Sequence, residues 1–186
     1  MLLYVNGNTI SGGACCANDF VQADDDIHYV AQYNKSHPDN VMHSFGYYLS
    51  RLLNVGFRCE ANNKESNSET FEQTTYFLTN TLPMLKSMYT VVCIGLMPQV
   101  DVTALNKLAA LCKIQNIEFI VFNTHKPLPT TASVEFGNLI DLKDESECFV
   151  TWCKNNNHVL KNNMYPDVDA HNAWAKYIFS KLIENL

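Results

Sequence analysis

Thr9 and Ser11 carry hydroxyls two residues apart, beside the Asn8 amide, in the glycine-rich stretch Asn6-Gly7-Asn8-Thr9-Ile10-Ser11-Gly12-Gly13. Such a hydroxyl attacks an ester carbonyl when a neighbouring base takes its proton and nearby donors hold the developing oxyanion. Imidazole suits the first task because its ordinary pKa lies near neutral pH. Two imidazoles have suitable surroundings: His125, in the turn Asn123-Thr124-His125-Lys126-Pro127, and His171, flanked by Asp167 and Asp169. The competing roles are a solvated loop side chain for His125 and a structural one for His171.

These groups meet only if an α/β framework brings them to one edge. Residues 2–5 form a short apolar run that reads as a buried strand, and the turn after it would lie at the carboxyl edge of a parallel sheet, where ligands bind. Residues 15–40 read as a long polar loop or lid. Apolar spacing predicts helices over 41–53, 69–87, 102–115 and 146–153. Ser66 or Ser68 caps the second of these, and Pro83 kinks or shortens it. Strands are expected over 57–61, 89–95 and 117–122, with a short fifth over 139–142. Asp167 or Asp169 caps a last helix whose apolar face is Trp174, Tyr177, Ile178, Leu182 and Ile183. The pattern predicts one domain over 1–186, a three-layer α/β/α, flavodoxin-like architecture with about five parallel strands.

Four blocks resemble the SGNH (GDSL-like) hydrolases, in particular the short bacteriophage forms. Those open with a strand, Asn-Gly-Asp-Ser, an aromatic, Thr and Gly, against Asn6-Gly7-Asn8-Thr9-Ile10-Ser11-Gly12 here. Their second strand is followed by Ala, two residues and Gly-Gly-Ser-Asn-Asp, entering a helix with paired Thr; here Ala61-Asn62-Asn63-Lys64-Glu65-Ser66-Asn67-Ser68 precedes Thr74-Thr75. The third strand ends in Gly95-Leu96-Met97, where the family carries a polar oxyanion donor. The end of the chain matches through Pro166, Ala170-His171 and Trp174-Ala175.

The resemblance implies an SGNH fold whose site includes Glu65, Asn67 and Met97, on the edge where the strand ends place Asn8, Ser11 and His125. It also implies that the catalytic places are substituted. Thr9 stands at the nucleophile, Tyr165 at the base, and Asn162 or Asn163 at the orienting carboxylate. Tyrosine, with an ordinary pKa of about 10, is a poor base near neutrality. Glu65 brings negative charge to an oxyanion site, and Met97 offers no side-chain donor. Base and donors each commonly supply about two to four decades of rate, so their joint replacement predicts a pseudoenzyme that binds rather than hydrolyses. The alternative is an active acetyl-ester hydrolase with Thr9 as nucleophile and His171 or His125 as base.

Composition narrows the partners. A net charge of −6 with 13 scattered Lys and Arg offers nothing to a nucleic-acid backbone. No apolar run approaches the roughly 18 residues of a membrane span, and residues 1–13 lack the basic and long apolar regions of a signal peptide. Cys59, Cys93, Cys112, Cys148 and Cys153 lie in or beside apolar runs and read as reduced thiols of an intracellular protein. The vicinal Cys15-Cys16 has no second pair at metal-ligand spacing and reads as incidental, and no cofactor or metal is implied. A flavodoxin-like nucleotide-binding domain ranks last, because the first turn lacks a phosphate-cradling glycine pattern. The expected partner is a small ester or carbohydrate, or another protein. The expected location is the cytoplasm, that of the host if phage-encoded, or the virion.

Overall fold

The computed structural model describes residues 1–8, 10–14, 16, 38–61, 66–85 and 89–184. Thr9, Cys15, Glu65 and most of the expected lid lie outside the described residues.

Four strands, β1 (Leu2–Gly7), β2 (Gly56–Cys59), β3 (Thr90–Leu96) and β4 (Glu118–Asn123), form a parallel sheet in the order β2-β1-β3-β4. The first strand is central, with Val5 level with Cys59 on one side and Cys93 on the other. Its side chains alternate between two cores, as the two-residue period of a strand requires. Leu3 and Val5, with Val91, Cys93, Ile120 and Phe122, pack against Phe45, Leu49, Phe149, Trp174 and Ile178. Tyr4, with Val92, Ile94, Leu96 and Val121, packs against Phe71, Phe77, Leu78, Leu105 and Leu108. Burial on both faces explains why the central strands read as continuous apolar runs.

The first core is covered by α2 (Phe45–Leu53), α6 (Phe149–Asn155) and α7 (Val168–Glu184), the second by α3 (Asn67–Tyr76) and α5 (Val102–Ile114). A four-residue helix, α1 (Pro38–Val41), precedes α2. The single helix expected over 41–53 is divided because Ser44, in extended conformation, caps α2 by accepting from the Tyr47 N–H at 3.4 Å. Asn54, at φ 55°, closes it.

Pro83 acts on the helix before it. A wide π turn (Phe77–Thr81) joins α3 to the short α4 (Leu82–Leu85), and the Leu82 N–H reaches back to the Phe77 carbonyl. Proline has no N–H and its ring crowds the carbonyl four residues earlier, so a widened turn there relieves the clash. The same turn brings the Phe77 ring onto Tyr4, with centroids 3.9 Å apart and nearly parallel planes. Ser66 holds the cap position of α3 but its side chain makes no cap bond.

The expected fifth strand over 139–142 does not form. Asn138 blocks the ladder by presenting a side-chain amide to β4. Its Oδ1 accepts from the Val121 N–H at 3.0 Å, and its Nδ2 donates to the Val121 carbonyl at 2.7 Å. A primary amide so placed satisfies the edge peptide as a neighbouring strand would. The following segment is tied instead by Asn123 Nδ2 donating to the Leu142 carbonyl and the Leu128 N–H donating to the same oxygen.

A small antiparallel hairpin, β5 (Leu160–Lys161) and β6 (Tyr165–Pro166), leads into α7. Asp167 is the residue that caps α7, accepting from the Ala170 N–H at 2.8 Å, while Asp169 lies in the first turn. Trp174, Ile178 and Leu182 are buried as the spacing predicts, but Ile183 is 54% exposed and falls off the apolar face.

Candidate functional site at the carboxyl edge of the sheet

β1 carries Asn6, Gly7 and Asn8 to the carboxyl edge. Asn6 is fully buried and faces α3. Its Nδ2 lies 3.1 Å from Tyr4 Oη, 3.0 Å from Thr74 Oγ1 and 3.2 Å from the Thr70 carbonyl, and its Oδ1 accepts from the Gly7 N–H. This amide bolts the end of the strand to the helix. Burial also raises the pKa of Tyr4, keeping its hydroxyl a neutral hydrogen-bonding group.

The next residues turn back tightly over β3. Gly7 has φ +135°, and a Cβ there would stand 2.5 Å from the Gly95 carbonyl oxygen. A Cβ on Gly95 would lie 2.0 Å from Ser11 Oγ. Both glycines are therefore required by close approach: the turn rests its serine hydroxyl on the bare backbone of the neighbouring strand. Ser11 is fully buried, so its hydroxyl packs the turn and is closed to solvent.

Asn8 links the turn to the end of β4. Its Oδ1 accepts from the Ser11 N–H at 3.3 Å, and its Nδ2 donates to Thr124 Oγ1 at 3.2 Å. Thr124 Oγ1 donates to the Leu96 carbonyl at 2.8 Å and lies 3.1 Å from His125 Nδ1. His125 is partly exposed, and burial together with the nearby Lys154 charge lowers its pKa, which favours the uncharged imidazole. Asn8, Ser11 and His125 are thus brought together, through a threonine that sequence reasoning passed over. The available signal was its place before His125 at a strand's carboxyl end.

Asn67 and Met97 meet nearby in a closed exchange. Asn67 Oδ1 accepts from the Met97 N–H at 2.9 Å, while its Nδ2 donates to the Met97 carbonyl at 2.8 Å and lies 3.4 Å from that of Gln99. The amide that the resemblance assigns to ligand binding is spent on holding the loop after β3 to the start of α3.

The final block approaches the first turn through Cys16 Sγ, which lies 3.8 Å from the Pro166 carbonyl oxygen. Tyr165 is half-buried in β6. Asn162 and Asn163 are exposed, at φ 51° and 57°, in the hairpin turn. Successive left-handed residues are the demand of such a turn, and asparagine meets it at less cost than most side chains. His171 is fully buried between Phe45, stacked at 6.3 Å, and Phe149, edge-on at 5.0 Å. Its Nδ1 accepts from the Phe45 N–H at 3.0 Å, and Nε2 has no hydrogen-bond partner among the described residues. Burial pushes its pKa down to about 3.

Among the described residues no cluster of three or more His, Cys, Asp or Glu is placed to hold a metal ion. Nor is any described helix long and apolar enough to cross a membrane.

No known family matches the chain by sequence, and no curated protein matches it. The fold does have a solved counterpart. A candidate lipolytic protein of the G-D-S-L family from Desulfitobacterium hafniense DCB-2 superimposes over 97% of this chain and 98% of its own, with a TM-score of 0.53 and 10% identity. At that identity the likeness establishes a GDSL-like fold and leaves the chemistry to the residues.

Proposed function

We propose that this GDSL-like domain no longer hydrolyses esters and serves as a binding module, for a small ester or carbohydrate or for a protein partner, as a phage accessory or virion component. The observation that carries this reading is the hydrogen bond from the Phe45 N–H to His171 Nδ1. It occupies the lone pair through which the histidine of the final block would have to act as a base. Tyr165, at the family's base position, is too weak a base to replace it. The Asn67–Met97 exchange supports the same reading, because it spends an amide and an N–H that an oxyanion would need.

One observation favours a second reading, hydrolysis by Thr9 with His125 as base: His125 is a partly exposed imidazole with a lowered pKa at the edge that carries Asn8. A panel of p-nitrophenyl esters separates the two. The binding reading expects no burst and no difference between wild type and Thr9→Ala, with turnover emerging in Thr9→Ser/Tyr165→His. A burst that disappears in both Thr9→Ala and His125→Asn would establish the hydrolase instead.

A further inference from the structure

The hydrogen atoms around Thr124 can be assigned from what each group is able to donate. The Ser11 N–H can only donate, so the Asn8 atom it meets at 3.3 Å is Oδ1, and the amide turned toward Thr124 is the Nδ2 donor. The Leu96 carbonyl can only accept, so the 2.8 Å contact with Thr124 Oγ1 requires the hydroxyl proton to lie between the two oxygens. Thr124 has no second proton. At 3.1 Å, His125 Nδ1 must then be the donor, which places the ring proton on Nδ1 and the lone pair on Nε2. Thr124 is fully buried, and its backbone is held by the Val150 N–H donating to its carbonyl at 3.0 Å, so the hydroxyl is a fixed reference point.

We propose that Thr124 is a positioning residue that holds His125 as the Nδ1–H tautomer, so that Nε2 accepts a hydrogen bond from the hydroxyl of a neutral, carbohydrate-like ligand at the carboxyl edge. An acceptor nitrogen gains nothing from a carboxylate or phosphate oxygen without a proton, and the net charge of −6 repels anions. The charge of Lys154 acting on His125 disfavours a cationic donor. Among the described residues, Asn8, Ser11 and Asn67 have their side-chain atoms engaged with the protein, and Nε2 of His125 is an edge acceptor able to read a hydroxyl.

This role presupposes the binding reading above, and the two can fail separately. Long-range 1H–15N spectra of the full chain at neutral pH would show His125 with a protonated Nδ1 and an unprotonated Nε2. Thr124→Ser should keep that pattern, and Thr124→Val should return the ring to the Nε2–H form. A wild-type ring already in the Nε2–H form, or a Thr124→Val variant with an unchanged pattern, would overturn the positioning role. Titration with glucose, galactose and N-acetylglucosamine should then move the His125 Nε2 resonance, with Thr124→Val weakening binding by about tenfold. A sugar that binds without moving Nε2 would overturn the acceptor role. A correct tautomer with no sugar bound would overturn the ligand assignment alone, because the binding reading also admits a protein partner.

Discussion

His171 Nδ1 accepts a hydrogen bond from the Phe45 N–H at 3.0 Å, joining the helix that opens after residue 44 to the one that closes the fold. A backbone N–H cannot accept, so Nδ1 is unprotonated and the ring proton resides on Nε2, enclosed by Phe45 and Phe149. The two histidines therefore occupy opposite tautomers: His171 has no lone pair left, and His125 keeps one.

Burial of neutral His171 gives stability a pH dependence whose sign can be worked out. The folded pKa of about 3 lies below the unfolded value of about 6.5. Between them the unfolded chain binds a proton that the native one does not, so stability falls as pH is lowered through this window. The limiting slope for one group is about 1.4 kcal/mol per pH unit. Urea denaturation from pH 7 to 5 should show a loss of about 2 kcal/mol from this group in wild type, the slope approaching its limit near pH 5, and a correspondingly smaller pH dependence in His171→Leu. Equal slopes in both proteins would show that His171 is protonated in the fold.

Gly95→Ala should destabilise by about 1–3 kcal/mol, because its methyl group would stand 2.0 Å from Ser11 Oγ. Ser11→Ala removes that oxygen, and the double variant should recover part of the loss. Thermal denaturation of the four proteins gives the coupling directly, and strictly additive costs would refute the contact.

Asn138→Ala removes both bonds to the Val121 peptide and should cost about 1–3 kcal/mol. Amide exchange at Val121 should accelerate more than at Cys93, deep in the central strand. An unchanged Val121 rate would mean that the β4 edge is protected by something else.

Asn163→Gly should leave stability unchanged or raise it, since glycine adopts the positive φ of 57° without a Cβ penalty. Asn162→Val should cost about 1–2 kcal/mol for forcing a β-branched residue into left-handed backbone at φ 51°. Chemical denaturation of the two variants tests whether these asparagines serve the turn. Loss of stability in Asn163→Gly would assign that side chain some other role.

The four strands of the sheet and its main helices were legible in the sequence, because burial on both faces leaves near-continuous apolar runs in residues 91–96 and 119–122 and helical faces repeat at 3.6 residues, whereas the hairpin of β5 and β6 left no such signal. The blocks around Asn6-Gly7-Asn8 and Ala170-His171 carried a resemblance to GDSL-like hydrolases, and at the level of the fold alone a solved GDSL-family structure shares the architecture. Three features were decided only by the folded chain. Asn138 pairs with a strand peptide 17 residues away and so ends the sheet at four strands. Asn67 meets Met97 across 30 residues and spends its side-chain amide on the Met97 backbone. The protonation of each histidine follows from one neighbour at hydrogen-bond distance, Phe45 for His171 and Thr124 for His125. Periodicity records which side of an element is buried, whereas which polar atom spends its hydrogen on which acceptor depends on contacts between distant segments, and these exist only after the layers have packed.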